Sequence, residues 1–362
     1  MLKRKHEFRW LVSVVVLGVL VTPRPGRAQG FEVLGTRALG MAGAFVGVAD
    51  DATAVYWNPA GLAFGPLFDL VVERVQGDVF LDGRDAPLDS ATRGFGGSAW
   101  TVSVVTPSLG LSHYRLRSAS FPAQTAGEGP SDRENVRSGE VAAFSLVTQH
   151  FGATFVQSLS QGVAVATTLK VVRATPVVRL VQGGTPEDAL EAAAEVSGPS
   201  QTRFDLDAGL MVSVSAWRVG VVARNLRKPE FDVTSGGEAL ADPMRFKRQI
   251  RAGLAFAPRS RGAGSNGPMT VAVDLDLEPI DTVYGRRREL AAGAEGWWFG
   301  GRAGVRGGVR FNTLERNGTD RDPAWALGFS LSPKLGSLIE GQITLSRNKL
   351  EQGWGVGTRL TF

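Results

Sequence analysis

From about residue 66 to the end of the chain, apolar side chains occupy every second position in segments of roughly ten residues. Successive side chains of a strand point to opposite faces, so each segment has one apolar and one polar face. In the segment 203–214, Phe204 and Leu206 share one face, and Asp205 and Asp207 share the other. No apolar run after residue 28 reaches the roughly 20 residues of a membrane-spanning helix. Only helices and closed barrels satisfy every backbone hydrogen bond in lipid, so the pattern predicts an all-β transmembrane barrel.

The period predicts 14 antiparallel strands within residues 66–362, joined by connections of alternating length. Long connections follow the odd-numbered strands and short ones follow the even-numbered strands, except for the segment PRSRGAGSNG. Outer-membrane barrels have short periplasmic turns and longer external loops, so both ends of the barrel are expected in the periplasm. A change of face near residues 149–152 predicts a bulge in the fourth strand. The predicted strands are 66–76, 98–106, 108–119, 139–159, 162–175, 202–214, 216–226, 245–257, 268–278, 287–298, 301–312, 323–332, 337–347 and 353–362.

Aromatic residues and one external loop add detail to this topology. The longest external loop contains TPEDALEAAAEV, in which Thr185 as N-cap and Pro186 at the first helical position predict a short helix. Trp and Tyr collect at the two membrane interfaces. The strand order places Trp100, Trp325 and Trp354 near the outer rim, and Trp217, Trp297, Trp298 and Phe362 near the inner rim.

Residues 1–28 predict a cleaved export signal. Basic residues precede the apolar run WLVSVVVLGVLV, and Gly26 and Ala28 form a small-x-small cleavage site. This segment carries six of the 40 basic and one of the 35 acidic residues, so the remainder holds 34 of each. The high isoelectric point therefore gives no support to a nucleic-acid partner. The chain has no Cys, which excludes disulfides and thiolate metal sites.

Residues 29–65 have neither the alternation nor the length of a spanning strand, and their Gly and Ala content suits a compact fold inside a lumen. The run GTRALGMAGAFVGVADDATAVYWNPAGLA strongly resembles the N-terminal hatch of the FadL/TodX family of outer-membrane transport proteins and of its PorV-type relatives. The resemblance implies a hatch that plugs a 14-stranded barrel and contains an Asn-Pro-Ala motif, matched here by Asn58, Pro59 and Ala60. Asn and Pro favour a rigid turn, which has either a structural or a gating role.

Charged residues are expected in two places. In the hatch, Asp50 and Asp51 are expected to pair with Arg37 rather than to bind a free cation such as a metal ion. In the barrel, alternation turns a set of charges toward the lumen, where they form a hydrated wall or, alternatively, an anion-selective channel. This set comprises Arg302, Arg306, Arg310, Glu289, Glu295, Lys247, Arg251, Asp274 and Asp276, with Arg251 and Lys247 facing the two aspartates and the other arginines facing the two glutamates.

Neither catalysis nor a cofactor or metal is expected. His113 and His150 are the two histidines after residue 28, and neither accompanies a nucleophile motif. GMAGAFVG lacks the preceding strand and the Lys-Ser/Thr pair of a phosphate loop. The resemblance implies a protein embedded in the lipid of the outer membrane of a Gram-negative bacterium. It also implies passive uptake of hydrophobic small molecules, such as long-chain fatty acids or hydrocarbons. It also implies a lateral exit at a distorted third strand, residues 108–119, which include Gly110.

The PorV-type relatives leave a second hypothesis open, in which the chain is a component of protein secretion or surface assembly with an exported protein as its partner. The two hypotheses differ in what they require of the structure. Uptake requires an apolar cavity between the external loops and Asn58, whereas an assembly role requires a docking surface on those loops.

Overall fold

The structure is a computed structural model that describes residues 34–80, 94–121, 140–182, 185–195, 197–235, 237–240, 243–258, 269–282, 285–314, 323–333, 338–349 and 351–362. The predicted export signal lies outside the described residues. So does the PRSRGAGSNG turn, except for its first residue, Pro258.

Fourteen antiparallel strands form a closed barrel, as the sequence predicts. The last strand pairs with the first from Thr361 opposite Asp69 to Glu351 opposite Val79, and this pairing closes the sheet. The strands are β1 (Asp69–Phe80), β2 (Gly94–Val105), β3 (Leu109–Phe121), β4 (Glu140–Ser160), β5 (Val163–Gln182), β6 (Gln201–Val214), β7 (Trp217–Arg224), β8 (Gln249–Phe256), β9 (Thr270–Asp276), β10 (Glu289–Trp298), β11 (Ala303–Asn312), β12 (Ala324–Leu331), β13 (Leu338–Arg347) and β14 (Glu351–Thr361).

The outside of the barrel is apolar and the inside is polar. In β6, Phe204 is 45% exposed and Leu210 is 39% exposed, while Asp205 and Asp207 are buried. In β9, Val271 and Val273 point outward. This arrangement is the reverse of a water-soluble protein, in which apolar side chains are buried. It fits a barrel whose outer face contacts lipid, and it confirms the predicted fold class.

The connections and aromatic residues follow the predicted orientation. The described turns after β2, β4, β6 and β10 are short, at residues 106–108, 161–162, 215–216 and 299–302. At this end, which the sequence predicts to be periplasmic, the Trp217 ring lies 4.9 Å from Phe256 and the terminal Phe362 ring lies 5.5 Å from Phe68. Trp100, Trp325 and Trp354 are exposed on the outer face.

The predicted bulge near residues 149–152 is wrong. The register of β4 is continuous there with both β3 and β5, and the shift in the register with β5 lies between Ser158 and Ser160. Thr148 and His150 both point into the lumen, where the His150 Nε2 lies 2.9 Å from Thr148 Oγ1. The inward face carries apolar Phe144 and Leu146 before polar Thr148 and His150, and this switch in character imitates a change of face in the sequence.

The outer side of the barrel carries the predicted helix, α3 (Pro186–Ala194), in which the Thr185 side chain accepts a hydrogen bond from Asp188 N. It packs against Ala119 and Val181 on the outward face of the strand ends. Two shorter helices precede the barrel, α1 (Thr36–Gly40) and α2 (Ala54–Trp57), followed by a 3₁₀ helix (Pro59–Phe64). None of the helices in the described ranges has the length and apolar run that crossing a membrane requires.

Short strand pairs complete the described outer loops. Between β7 and β8, Glu230–Phe231 pairs with Met244–Arg245, and Thr234–Ser235 pairs with Glu238–Ala239 and runs parallel to part of β5. Between β9 and β10, Ile280–Thr282 pairs with Gly285–Arg287. The loop between β7 and β8, residues 225–248, thereby folds back against the barrel wall.

Candidate functional site

Residues 34–65, which we call the hatch segment, lie inside the barrel and span its lumen. Helix α1 contacts β11 to β14 on one side, and the 3₁₀ helix contacts β4, β5 and β6 on the other. Nearly every residue from Leu34 to Leu62 is buried. The segment is small enough to fit there because Gly and Ala supply much of its sequence.

A buried charge cluster joins the hatch segment to β10. Arg37 lies 2.7 Å from Asp50, 3.0 Å from Asp51 and 2.8 Å from Glu295, which also contacts Arg306 at 3.1 Å. Burial by itself lowers the pKa of Arg37, but the neighbouring carboxylates raise it well above its usual value. Burial likewise raises the pKa of Asp50, but Arg37 and Arg218 lower it below its usual range. Arg37 and Asp50 are therefore held in the ionised state by each other and by their charged neighbours.

Wall carboxylates also accept hydrogen bonds from the hatch backbone. One oxygen of Asp274 accepts from the amides of Phe45 and Val46, both at 2.7 Å. On the opposite side, Glu73 accepts from Thr36 N at 2.8 Å. Hydrogen bonds to charged groups are stronger than neutral ones, so these carboxylates fix the path of the hatch segment. Strand register places Gly253 opposite Asp274 and Arg251 opposite Asp276, so Asp274 faces the hatch amides and has no cation directly across the strand.

Asn58 locks the Asn-Pro-Ala turn to the wall. Its Oδ1 accepts from Ala60 N at 3.2 Å, and its Nδ2 donates to Leu210 O on β6 at 3.0 Å and to Val46 O at 3.2 Å. Pro59 begins the 3₁₀ helix. A Cβ at Gly209 on β6 would lie 2.4 Å from Asn58 Oδ1, so only glycine leaves room for this close approach.

The other predicted lumen charges divide into three groups. Arg251 pairs with Asp276 at 2.6 Å, as expected, and also lies 3.3 Å from Glu289. Arg310 pairs with Glu351 of β14. Two predictions are wrong in position, because both residues fall beyond strand ends: Arg302 is exposed in the turn before β11, and Lys247 is half-buried before β8.

A continuous column of aromatic rings connects the loop 225–248 to the hatch segment. The centroids of successive rings lie between 4.3 and 6.3 Å apart, in stacked, tilted or edge-to-face arrangements. All seven residues are buried. From the outer side inward they are Phe231, Phe246, His150, Tyr114, Tyr56, Trp57 and Phe45.

The surroundings of the column change along its length. At the inner end, arginines lie over the rings, with the Arg224 guanidinium 3.6 Å from the Tyr56 centroid and Arg251 5.7 Å from that of Trp57. In such contacts the guanidinium group is attracted to the face of the aromatic ring. At the outer end the Arg203 guanidinium lies 5.8 Å from the Phe231 centroid, and the rings pack against the apolar side chains of Phe144, Leu146, Val172, Ala174, Val233 and Met244.

The uptake hypothesis requires an apolar cavity between the external loops and Asn58, and among the described residues packed rings fill this region, so the requirement is not met in this conformation. Passage along the column therefore requires rings to separate. Strand alternation alone predicts that Tyr114 and His150 point inward. Two aromatic residues on a largely polar face were the one signal in the sequence that could have indicated the column. The contacts with Tyr56 and Phe246 join distant segments and leave no periodic pattern.

The third strand is regular, contrary to the implied distortion. The register of β3 is continuous with β2 down to Gly110 and with β4 down to Leu109. A Cβ at Gly110 would lie 3.0 Å from Val55 Cγ1 and 3.1 Å from Leu62 Cδ1 of the hatch segment. Gly110 thus makes room for the hatch, and the wall is closed at this strand.

Because the chain has no Cys, a metal site would have to be built from His, Asp and Glu side chains. Within the described ranges, no group of three or more His, Asp or Glu residues has the geometry to hold a metal ion.

Comparisons with known proteins identify the architecture. A sequence profile of the family described as "F plasmid transfer operon, TraF, protein" matches residues 132–276, which is less than half of the chain, and those residues belong to the same continuous barrel. A search of curated proteins by sequence found no match.

Solved structures match almost the whole chain. The Ralstonia pickettii toluene transporter TbuX aligns over 92% of this chain and 99% of its own, with a TM-score of 0.56 and 12% identity. The chain has the fold of the FadL and TodX channels. A Pseudomonas aeruginosa FadL homologue aligns over 93% and 99%, and the Pseudomonas putida toluene transporter TodX over 92% and 98%, each with a TM-score of 0.54 and 12% identity. The resemblance carried by the hatch motif is confirmed at the level of the fold.

Proposed function

We propose that this protein is an outer-membrane channel for the passive uptake of hydrophobic small molecules, closed by the hatch segment in the conformation described. The observation that carries the proposal is the aromatic column, which extends a path of packed rings from the loop 225–248 to the hatch. Two of the proteins with the same fold are described as toluene transporters, which supports the same class of solute.

The column suits a passive mechanism for energetic reasons. An apolar solute gains about 25 cal/mol for each Å² of apolar surface that leaves water. An aromatic pair contributes only about 0.5 to 1.5 kcal/mol beyond its buried area. A solute that inserts between two rings makes new contacts with both, and these contacts offset the loss of the contact between the rings. Capture at Phe231 and Phe246 and stepwise movement toward Tyr56 then need neither a cofactor nor an energy source.

The gate in this proposal is the contact between Tyr114 and Tyr56, whose centroids lie 5.6 Å apart at an interplanar angle of 87°. Tyr114 belongs to the wall and Tyr56 to the hatch segment, so the column crosses there from a fixed element to the plug. Release into the periplasm requires this side of the hatch segment to move, because the wall at β3 is closed.

The test is the uptake of labelled toluene and labelled oleate by cells that carry the wild type, Phe246→Asp, Phe246→Leu or no protein. A carboxylate at the outer end of the column opposes partitioning of an apolar solute, so Phe246→Asp is expected to reduce uptake to that of the empty strain. Phe246→Leu keeps the site apolar and is expected to retain most uptake. Heat-modifiable migration in gels verifies that each variant is folded and equally abundant.

Equal uptake by the wild type and the empty strain would reject the channel. A preference for toluene or for oleate identifies the solute class, hydrocarbon or long-chain fatty acid. No contact among the described residues favours the secretion or assembly role, with an exported protein as partner. That role stays a prediction from the sequence, and copurification of an exported protein after a failed uptake assay would favour it.

A further inference from the structure

The outward face of β2 to β6 contains an apolar groove of about 580 Å³. Its side chains lie within the lipid-facing band and stand well out from the wall; Leu111 is 57% exposed and Phe151 is 49% exposed. The exposed residues that line it are Val104, Leu111, Phe151, Leu169, Val171 and Phe204. A concave apolar surface at this position is shaped to hold acyl chains.

A row of arginines borders this groove on its outer side. Strand register places Arg74 opposite Trp100, Trp100 opposite Arg115, Arg115 opposite Gln149, and Gln149 opposite Arg173. All of these residues point outward. The next row toward the periplasm is Val102, His113, Phe151 and Val171, which belongs to the groove. The guanidinium groups thus lie at the border between the apolar band and the outer aqueous side.

These arginines differ from those of the lumen in lacking anionic partners. Among the residues that the structure describes, Arg115 and Arg173 are exposed and make no ion pair, and Arg74 contacts only the ring of Trp354, at 5.8 Å. By contrast, Arg37, Arg251 and Arg306 each contact carboxylates. Exposed guanidinium groups at a membrane border recognise phosphate by paired hydrogen bonds.

The row also has a spacing suited to more than one phosphate. Neighbouring strands lie about 4.8 Å apart, so arginines on β1, β3 and β5 follow one another at roughly 10 Å. Flexible side chains at that spacing can bind two phosphates of one headgroup or converge on a single phosphate.

A polar pocket of about 390 Å³ lies on the other side of the arginine row, beneath helix α3. Carboxylates, amides and hydroxyls that line such a pocket are suited to hydrogen-bond sugar hydroxyls. Its polar lining consists of Arg74, Arg117, Gln76, Asp78, Ser98, Glu187 and Glu191. From the periplasmic side outward, the wall therefore presents an apolar groove, a cationic row and a polar pocket.

We propose that the outward face of β1 to β6 binds one phosphorylated glycolipid of the outer leaflet, with acyl chains in the groove, phosphate on Arg115 and Arg173, and sugar beneath α3. In a glycolipid whose acyl chains and phosphates are both attached to the sugar, chains that lie in the groove bring the phosphorylated sugar to the arginine row and the polar pocket. The site lies outside the barrel, so it does not depend on the proposed uptake function.

The experiment is native mass spectrometry of the full-length protein in detergent, titrated with a bis-phosphorylated, multiply acylated glucosamine disaccharide. The variants are the double substitution Arg115→Gln/Arg173→Gln, its two single substitutions, and Arg347→Gln as matched control. Arg347 is an exposed arginine on β13 outside the groove. The double variant is expected to bind at least tenfold more weakly, each single variant to lie between, and Arg347→Gln to bind like the wild type.

Further probes separate the sources of binding. The dephosphorylated lipid is expected to bind at least tenfold more weakly, and inorganic phosphate is expected not to compete. Wild-type affinity in the double variant, equal binding of phosphatidylglycerol, or displacement by inorganic phosphate would each overturn the proposal. If the double variant does not show heat-modifiable folding, the proposal is tested by the affinities of the single variants and of the dephosphorylated lipid.

Discussion

The hatch segment is held in two different ways on its two sides. Toward β9 and β10 it is held by charge, through the contacts of Arg37 with Glu295 and of Asp274 with the backbone of Phe45 and Val46. Toward β3 and β4 it meets the wall through rings, in the contact of Tyr56 with Tyr114.

The difference separates an anchor from a gate. Removing one partner of a buried ion pair costs about 3 to 5 kcal/mol, because the other charge stays buried. Losing one aromatic contact costs roughly 0.5 to 1.5 kcal/mol. The charged side is therefore expected to stay in place while the aromatic side opens.

The largest expected effect comes from removing the anchor. Glu295→Ala leaves Arg37 and Arg306 without a shared carboxylate and is expected to lower the free energy of unfolding by about 3 to 5 kcal/mol. Urea unfolding of the protein from vesicles measures this change. The control is Glu278→Gln, which breaks an exposed pair with Arg248 and is expected to cost less than about 1 kcal/mol. Similar losses in the two variants would contradict the anchor.

A steric substitution tests the fit between wall and hatch. A Cβ at Gly220 would lie 2.4 Å from Val46 O, so Gly220→Ala is expected to cost about 1 to 3 kcal/mol by displacing the hatch. Gly341→Ala is the matched control, since its added Cβ meets no atom within 4 Å. Protease cleavage within the hatch should increase for Gly220→Ala alone; no increase would mean that the wall does not constrain the hatch there.

On the aromatic side, Tyr114→Leu removes two ring contacts, with Tyr56 and His150, together with a side-chain hydrogen bond to Arg224. It is expected to lower stability by about 1 to 3 kcal/mol, at 0.5 to 1.5 kcal/mol per pair, and to increase toluene uptake by several fold. Phe329→Leu, on the lipid face of β12, is the control and should leave uptake unchanged. Unchanged uptake in Tyr114→Leu would move the gate elsewhere.

The smallest effect is expected from mild acid. The pKa of Asp50 is lower in the folded protein than in the unfolded chain, so its stabilisation is complete above the unfolded value of about 3.9 and is lost only below it. Stability measured by urea unfolding should therefore show no contribution from Asp50 to any change between about pH 8 and pH 5. Asp50→Asn serves as the comparison: a pH slope present in the wild type and absent in this variant would contradict the account.

Much of the barrel could be predicted because lipid outside and a polar lumen inside impose period two on every strand. The pattern fails where that contrast ends. The sequence ends β5 at residue 175, whereas the strand continues to Gln182, where α3 covers its outward face and the loop residues Phe231 and Val233 pack on its inward face. Both faces are then enclosed by protein, and the alternation disappears.

The site was predictable only in part, and for a related reason. Buried charges need partners, so the contact of Arg37 with Asp50 and Asp51 follows from their presence in one compact segment. The aromatic column requires Phe246 from a loop, His150 from β4 and Tyr56 from the hatch to meet. Their proximity comes from barrel closure, which a local pattern does not encode.

The central claim is that solute passes between Tyr114 and Tyr56. The chain has no Cys, so Tyr56→Cys/Tyr114→Cys can be joined by a short, reducible bis-thiol crosslinker without competing thiols. Toluene uptake by cells carrying the crosslinked protein is predicted to fall to that of the empty strain and to return after reduction. Undiminished uptake with the hatch joined to the wall would contradict the account.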